Sequence, residues 1–366
     1  MRIGALRSGL VLLFTLLAGR ADAIVLLDGK LNIAGYGTWA YARTNGNAFQ
    51  LGTADGYYDN AAIALAVRAQ ATDELSASIQ LTQDEDSTQN GIDYAFFEWK
   101  VSDAVRFRFG MPKVPLGISW DVNDVGTLRP FLRLPNSVYG STNLGGYSYL
   151  GAGLAGTAPL PGGWELGYDL FAGGLSQFVV SPVDAVAVQN GTSSNPASPG
   201  SWVEMQDVVG GRLSLLTPIP GLIVRGSGFW GRTPEGSGLK ATWISAASLE
   251  YSDEVWLLRS EYYRGNERGF GATDAGYVEA GARLGAHWQV VAKVEATRLD
   301  WPDFTGPRSL LRHREAALGL NYWFSHDFVL KASVHALDGN RFTLPDKNNE
   351  FRERTNEVMV GSQFSF

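Results

Sequence analysis

The chain has 366 residues, 30 Lys and Arg against 37 Asp and Glu, a net charge of −7 and no cysteine. The acidic balance excludes nucleic acid as an electrostatic partner, and the missing cysteines exclude disulfide bracing. Despite 18 Phe, 14 Tyr, 11 Trp and 44 Gly, no apolar run beyond residue 23 approaches the roughly 18 residues of a spanning helix, which excludes a helical membrane protein.

At the start, Arg2 and Arg7 precede the apolar stretch Gly9–Gly19, and Ala21-Asp22-Ala23 places small residues around one position. This order predicts a secretory leader over 1–23, with 24–366 as a single exported domain. Its removal takes away Arg2, Arg7, Arg20 and Asp22, so the remaining chain is more acidic still. An exported, aromatic, glycine-rich chain with neither cysteine nor a spanning helix fits a closed β-barrel of the bacterial outer membrane. Only alternate residues of such a barrel need be apolar.

The first predicted strand, 30–42, sets Leu31, Ile33, Trp39 and Tyr41 on one face. The second, 61–71, points Ile63, Leu65 and Val67 outward and Arg68 and Gln70 inward. The third, 74–83, alternates Leu75, Ala77, Ile79 and Leu81 with Ser76, Ser78, Gln80 and Thr82. That alternation is the mark of a sheet with one face in lipid and the other in water. Thirteen more segments follow, at 92–101, 105–111, 147–157, 164–174, 206–216, 222–231, 241–251, 255–264, 276–286, 288–299, 313–324, 328–337 and 355–366. The total is sixteen, an even number as a bacterial barrel requires.

Connectors alternate as well. Short turns fall at 72–73, 102–104, 159–163, 217–221, 252–254, 285–287 and 325–327. Longer polar connectors fall at 43–57, 83–91, 112–145, 176–203, 232–239, 265–275, 300–311 and 338–354. Short periplasmic turns against long outer loops give this asymmetry. No segment before the first strand is long enough for an N-terminal plug. Small outward residues in the first two strands (Gly35, Gly37, Ala61, Ala69) offer a weak hint of a subunit contact. The last strand must pair with the first, which removes the exposed edge and sets Phe364 and Phe366 in the periplasmic aromatic girdle.

One connector is unlike the others. Residues 108–140 contain Pro112, Pro115, Pro130 and Pro135 together with Trp120, Leu128, Phe131, Leu132 and Leu134. Prolines restrict the backbone, and so apolar a loop needs something to pack against. The third outer loop is predicted to fold into the lumen. Its pattern is a Gly–Arg strand end, Pro115-x-Gly117, Asp121, Arg129-Pro130, then Leu134-Pro135-x-x-Val138-Tyr139. This resembles a widespread porin-like family of proteobacteria within the Gram-negative porin superfamily. The ending, with Val358, Val360, Phe364 and Phe366 two apart, resembles the C-terminal signal read by the barrel-assembly machinery. Ser362 departs from that signal.

The resemblance implies an outer-membrane channel passing small hydrophilic solutes or ions by diffusion, a homotrimer, and lipid and lipopolysaccharide as surroundings. Its constriction would draw on Arg68, Arg106 and Arg108 from the wall and on Asp121, Asp124, Arg129 and Arg133 from the loop, with opposite charges facing across the opening. The bland reading is that these arginines pair with neighbours such as Glu98 and brace the wall. Arg225, Arg259, Glu261, Glu279, Arg283, Lys293, Glu295, Glu315 and Lys331 also carry inward parity, a mixture suited to a wet lumen. Rival functions are a substrate-selective channel with a solute site, a closed structural or adhesion barrel, and an outer-membrane enzyme.

Other signals are set aside. Gly151, Gly153 and Gly156 match a dinucleotide fingerprint but sit inside a strand with no helix following. Asp84, Glu85 and Asp86 read as a solvated outer loop. Asn190-Gly191-Thr192 is an incidental sequon within 176–203, a connector expected to have little order. His287 and His326 fall in turns. His313 and His335 face inward about four residues apart along their strands, roughly 13 Å, too far to share a metal. No histidine has lipid-facing parity for a surface hydrolase, so neither a catalytic site nor a metal nor a cofactor is predicted.

Overall fold

A computed structural model of the chain describes residues 23–49, 52–84, 91–140, 148–179, 181–193, 201–235, 238–267 and 271–366. The predicted leader up to Asp22, Glu85 and Asp86, and the end of the 112–145 connector lie outside the described residues.

Sixteen strands follow one another around a closed barrel. They are β1 (Leu31–Thr44), β2 (Tyr57–Gln70), β3 (Leu75–Asp84), β4 (Gly91–Lys100), β5 (Arg106–Met111), β6 (Tyr149–Leu160), β7 (Trp164–Val179) and β8 (Ser201–Leu216). Then come β9 (Leu222–Glu235), β10 (Gly238–Ser252), β11 (Trp256–Glu267), β12 (Gly271–Leu284), β13 (Trp288–Asp300), β14 (Arg312–Ser325), β15 (Phe328–Asp338) and β16 (Arg354–Ser365). Each strand is antiparallel to the next, and β16 pairs with β1 in the register Phe364↔Gly37 and Gln363↔Thr38. Every predicted strand has its counterpart. A short strand, Ile24–Leu26, folds back on Leu31–Ile33 at the start of β1.

The burial pattern is that of a soluble protein turned inside out. Along β13, Val290, Val294 and Ala296 are exposed while Val291, Lys293, Glu295 and Thr297 are buried. Val294 is 57% and Leu318 61% exposed, whereas Lys293 is 3% and Glu315 4%. Hydrocarbon is the medium in which such an outer face is stable. Each valine or leucine moved from water to an apolar phase contributes about 1.5–3 kcal/mol, and a closed barrel leaves no backbone group unpaired there. Trp99, Trp164, Trp256, Trp288 and Phe324 mark the periplasmic rim of this belt.

The seam explains two glycines and the aromatic ending. Gly35 and Phe366 exchange backbone hydrogen bonds, both 2.9 Å. A Cβ on Gly35 would lie 2.2 Å from the Phe366 ring, and one on Gly37 would lie 2.2 Å from the Phe364 ring. Each phenylalanine thus covers a glycine across the closing strands. Gly35 and Gly37, two of the small outward residues named above, are therefore covered by the chain's own aromatic ending.

Two outer connectors depart from expectation. Those at 232–239 and 265–275 shrink because their strands run on, with the Thr233 and Thr242 hydroxyls 2.7 Å apart in the prolonged β9–β10 hairpin. Within 176–203, expected to have little order, Pro182–Gln189 is helical. Ser181 accepts from the Asp184 backbone N–H while Asp184 accepts from that of Ser181, with Pro182 opening the first turn. Its Ala185 packs into a cluster of Leu299, Phe304, Leu310 and Leu311. The first and last outer connectors are joined by Ala48–Phe49 pairing with Thr343–Leu344, and Asn47 hydrogen-bonds both ways with the Arg352 backbone.

Candidate functional site: the lumen and its inner loop

β5 has only six residues, so the chain leaves the wall inside the barrel and not above it. Lys113 fixes the departure, with its Nζ 2.5 Å from Asp93, 2.8 Å from Asp124 and 3.0 Å from Asn123 Oδ1. The loop then reaches the far wall. Gly117 N–H donates to Ser227 Oγ at 2.9 Å, and Ile118 N–H donates to Glu261 Oε2 at 2.9 Å. Gly117 has φ +56°, and a Cβ there would lie 1.9 Å from the Tyr263 hydroxyl and 2.3 Å from Glu261. Only glycine meets both demands.

Glu261 is the hub of this contact. Besides Ile118 N–H it accepts from Ser248 Oγ at 2.7 Å, from the Tyr277 hydroxyl at 2.7 Å and from the Tyr139 hydroxyl. Trp120 is buried beside Tyr139, their rings 5.1 Å apart, in a cluster that includes Val114, Leu116, Val138, Tyr149, Phe171, Phe229 and Tyr263.

Further along, wall side chains satisfy the carbonyls of an extended loop. Lys331 donates to the Gly126 and Arg129 carbonyls and to Gln363. Arg259 donates to the Leu128 carbonyl at 3.0 Å, Asn321 to that of Pro130 at 2.8 Å, and Gln363 to that of Leu132 at 3.1 Å. Phe131 packs on Val291 and Ala317, and Leu132 on Ala40, Ala42 and Met359. Ser137 N–H donates to Glu295 at 2.6 Å and Thr297 donates back to the Ser137 carbonyl at 3.0 Å. Buried polar groups must find partners, and here the loop and the β11–β16 wall satisfy each other. The prediction that this loop folds inward holds.

The consequence is a lopsided lumen. The inward faces of β11–β16 are covered, whereas Arg68, Arg106, Arg108, Asp169, Arg212 and Arg225 on the opposite arc stay partly exposed. Arg68 is 3.5 Å from Glu98, and Arg108 spans Glu98 at 2.9 Å and Asp169 at 2.8 Å. Arg106 is not at the narrowing; it sits beside the periplasmic turn, 4.0 Å from Asp103. Asp121 is held two-pronged by Arg212 at 3.0 and 2.8 Å. Burial alone would raise the Asp121 carboxyl, but the Arg212 guanidinium wins and holds it below the ordinary carboxylate value. Asp124 turns back to Lys113 and to Gln80, at 2.9 Å from the latter. Arg129 and Arg133 have no carboxylate within ion-pairing distance among the described residues.

A basic wall residue does meet an acidic loop residue, but the wall partner of Asp121 is Arg212 and not Arg68, Arg106 or Arg108. Arg68 and Arg108 pair with wall carboxylates, as the bland reading has it, and Asp121 and Asp124 are each closed in ion pairs. Sequence reasoning missed Arg212 and Lys113, the cations that hold the loop. The inward parity of Arg212 on β8 was a usable signal for one of them; a cation inside a loop carries no parity.

A second cluster lies under the loop. Ligand-capable atoms of Glu295, His313 and Glu315 fall within 4.8 Å of one another, and His335 Nδ1 is 2.7 Å from Glu315. The register sets the two histidines four residues apart, as expected, yet Glu315 between them reaches both. Lys293 Nζ, 2.6 Å from Glu295 and 3.0 Å from Glu315, already fills the place a cation would take.

By sequence the chain matches no family profile and no curated protein. By structure it is similar to outer-membrane porins at low identity. The OmpF of Salmonella typhi, solved with daunomycin, is 13% identical with a TM-score of 0.60, covering 94% of this chain and 100% of that one. An anion-selective porin from Comamonas acidovorans is 13% identical with a TM-score of 0.59, covering 92% and 99%. The outer-membrane channel DcaP of Acinetobacter baumannii is 11% identical with a TM-score of 0.55, covering 94% and 100%. The chain has the porin fold over its whole described length.

Proposed function

We propose that this protein is an outer-membrane porin, a passive channel for small hydrophilic solutes with a preference for anions. The observation that carries the reading is the docked inner loop. It covers one wall of the lumen and leaves the arc from β2 to β9 lined by partly exposed arginines. Their carboxylate partners are shared: Glu98 serves both Arg68 and Arg108, and Glu250 serves both Arg225 and Arg259. Arg108 also meets Asp169 and Arg212 meets Asp121, so the arc itself is close to balanced, and the excess positive charge is that of Arg129 and Arg133 on the loop side. A low-dielectric wall focuses such a field. Discrimination by size comes from the loop, and no bond is made or broken.

The reading includes removal of residues 1–23 on export, delivery by the barrel-assembly machinery and assembly as a homotrimer. One similar solved structure, the OmpT of Vibrio cholerae, is described in a trimer form. The test is single-channel conductance of the refolded protein in a planar bilayer, followed by reversal potential in a salt gradient. Steady stepwise conductance with an anion-selective potential is expected. A folded, inserted barrel that passes no current would refute it.

A further inference from the structure

Beside the arginines of the uncovered arc lies a patch of aromatic rings. On β1, Thr38 takes a hydrogen bond from Gln363, which also donates to the loop carbonyl of Leu132. Residues of that parity therefore face the lumen, and Tyr36 is one of them. On β3, Gln80 reaches the loop carboxylate of Asp124, so Ser78 faces inward as well. The cross-strand register fixes the neighbours. Gln80 lies opposite Ala66 and Tyr94, and Ser78 lies opposite Arg68 and Phe96. Tyr36 lies opposite Ala64. Three half-buried rings, Tyr36, Tyr94 and Phe96, thus stand around a floor of alanine and serine. Arg68 is level with Phe96 two strands away, roughly 10 Å between backbones.

The patch holds unused binding capacity of three kinds. The Tyr94 and Phe96 rings are 5.8 Å apart and tilted by 49°, and the Arg108 guanidinium lies 5.8 Å from the Phe96 centroid. The Arg68 side chain is 52% exposed and makes both of its hydrogen bonds, to Ser76 at 3.2 Å and to Glu98 at 3.5 Å, through Nη2. Its Nε and Nη1 are left to a ligand. The Tyr36 and Tyr94 hydroxyls have no hydrogen-bond partner among the described residues. A flat π-system gains edge or face contacts that a saturated ring of the same size lacks, and a carboxylate matches the paired donors of a guanidinium. A bare anion would use Arg68 and leave the rings idle. An uncharged sugar would use the rings and leave the cation idle.

We infer that this part of the lumen wall is a binding site for an aromatic carboxylate, its ring against Tyr94 and Phe96 and its carboxylate on Arg68. The inference adds a substrate class to the porin reading. It rests on that reading for passage of the solute and on the lumen wall alone for its binding.

The test uses benzoate as the probe, with two relatives that each lack one feature. Cyclohexanecarboxylate has the charge but no aromatic face; benzamide has the ring but no charge. Binding to the folded, detergent-solubilised protein is titrated by saturation-transfer NMR, and the same probes are added to single channels in a planar bilayer. Benzoate should bind and interrupt the current, with either relative about fivefold weaker or more. Phe96→Leu should abolish the preference for benzoate over cyclohexanecarboxylate, and Arg68→Gln the preference over benzamide. A changed preference, unlike a lost signal, does not come from a misfolded barrel. Equal binding of benzoate and cyclohexanecarboxylate would reduce the patch to an anion site, and equal binding of benzoate and benzamide to an apolar one. Variants that keep the wild-type preferences would place the site elsewhere, and each of these three results overturns the inference. A conducting channel indifferent to benzoate overturns it too and leaves the porin reading standing. A folded barrel that passes no current but binds benzoate with these preferences loses the porin reading and keeps the site.

Discussion

Replacing Glu261 by alanine tests whether the inner loop is held by its polar hub. The carboxylate accepts five hydrogen bonds, two of them from the loop itself, Ile118 N–H and the Tyr139 hydroxyl. In the variant the Ser248 hydroxyl can turn elsewhere. The Ile118 amide cannot, and Tyr139 and Tyr277 have little freedom in a packed cluster. Three orphaned buried donors at about 1–3 kcal/mol each give a loss of roughly 3–9 kcal/mol. The removed carboxylate returns part of this, since it no longer pays its own desolvation. Ejection of the whole loop is not expected, because Trp120, Leu116, Phe131 and Leu132 remain buried. What should loosen is the segment around Gly117–Asp121. Single-channel records of Glu261→Ala should therefore show larger and noisier current than wild type. Glu261→Gln keeps one carbonyl acceptor and should fall between them. A correctly folded Glu261→Ala barrel with the conductance and noise of wild type would refute the reasoning.

Other consequences follow from the same geometry. Gly117→Ala, strained at φ +56° and pressed on Tyr263, should reproduce the Glu261→Ala noise at a cost of about 1–3 kcal/mol; a quiet channel would argue that the loop approaches less closely. Because the Asp121 carboxyl lies below its ordinary value, the Arg212 tether is fully formed above the unfolded carboxylate value, about pH 4. It is lost only as pH falls through the lowered one. Noise should therefore stay flat from pH 7 to about 4 and rise below, and Asp121→Asn should be noisy throughout with that acid step removed. Arg129→Ala with Arg133→Ala should shift the reversal potential toward cations, and an unchanged potential would place the selective charges elsewhere. Gly37→Val drives a side chain into the Phe364 ring and should lower the temperature at which the folded band is lost on gels by several degrees; no change would mean the rings do not seal the seam.

The barrel was legible because its signal is local and repeated. Strands such as Leu75–Asp84 carry the alternation in consecutive residues, and a lipid outer face makes that alternation sharp. The inner loop was legible for a different reason: Trp120, Phe131 and Leu132 are too apolar for a connector in water. Where each loop charge would land was not legible. Asp121 finds Arg212 across the lumen and Asp124 returns to Lys113, and those partners are 91 and 11 residues away in the chain. Strand parity names the wall residues that face inward but says nothing of where an irregular segment crosses. The helix Pro182–Gln189 was a missed local signal, since Ser181-Pro182-x-Asp184 is a capping box with proline at its first turn.

The placement of the loop also bears on how charge can act in this lumen. Buried ions are costly unless paired, and the wall under the loop obeys this: Lys293 lies between Glu295 and Glu315, while Lys331 is surrounded by loop carbonyls and Gln363. Charge so neutralised has little left to offer a passing ion. On the uncovered arc the arginines are paired too, Arg108 with Glu98 and Asp169, Arg212 with Asp121 and Arg225 with Glu250, and water can screen these partly exposed pairs. Selectivity should therefore come from Arg129 and Arg133, and fade as salt rises past the point where the Debye length falls to about 3 Å at 1 M. Size exclusion, set by Trp120, Phe131 and Leu132 packed on the wall, should not change with salt. A reversal potential that collapses at high salt while the solute cut-off stays fixed would separate the two; a potential that holds at 1 M would mean that a dry, unscreened charge sets the preference.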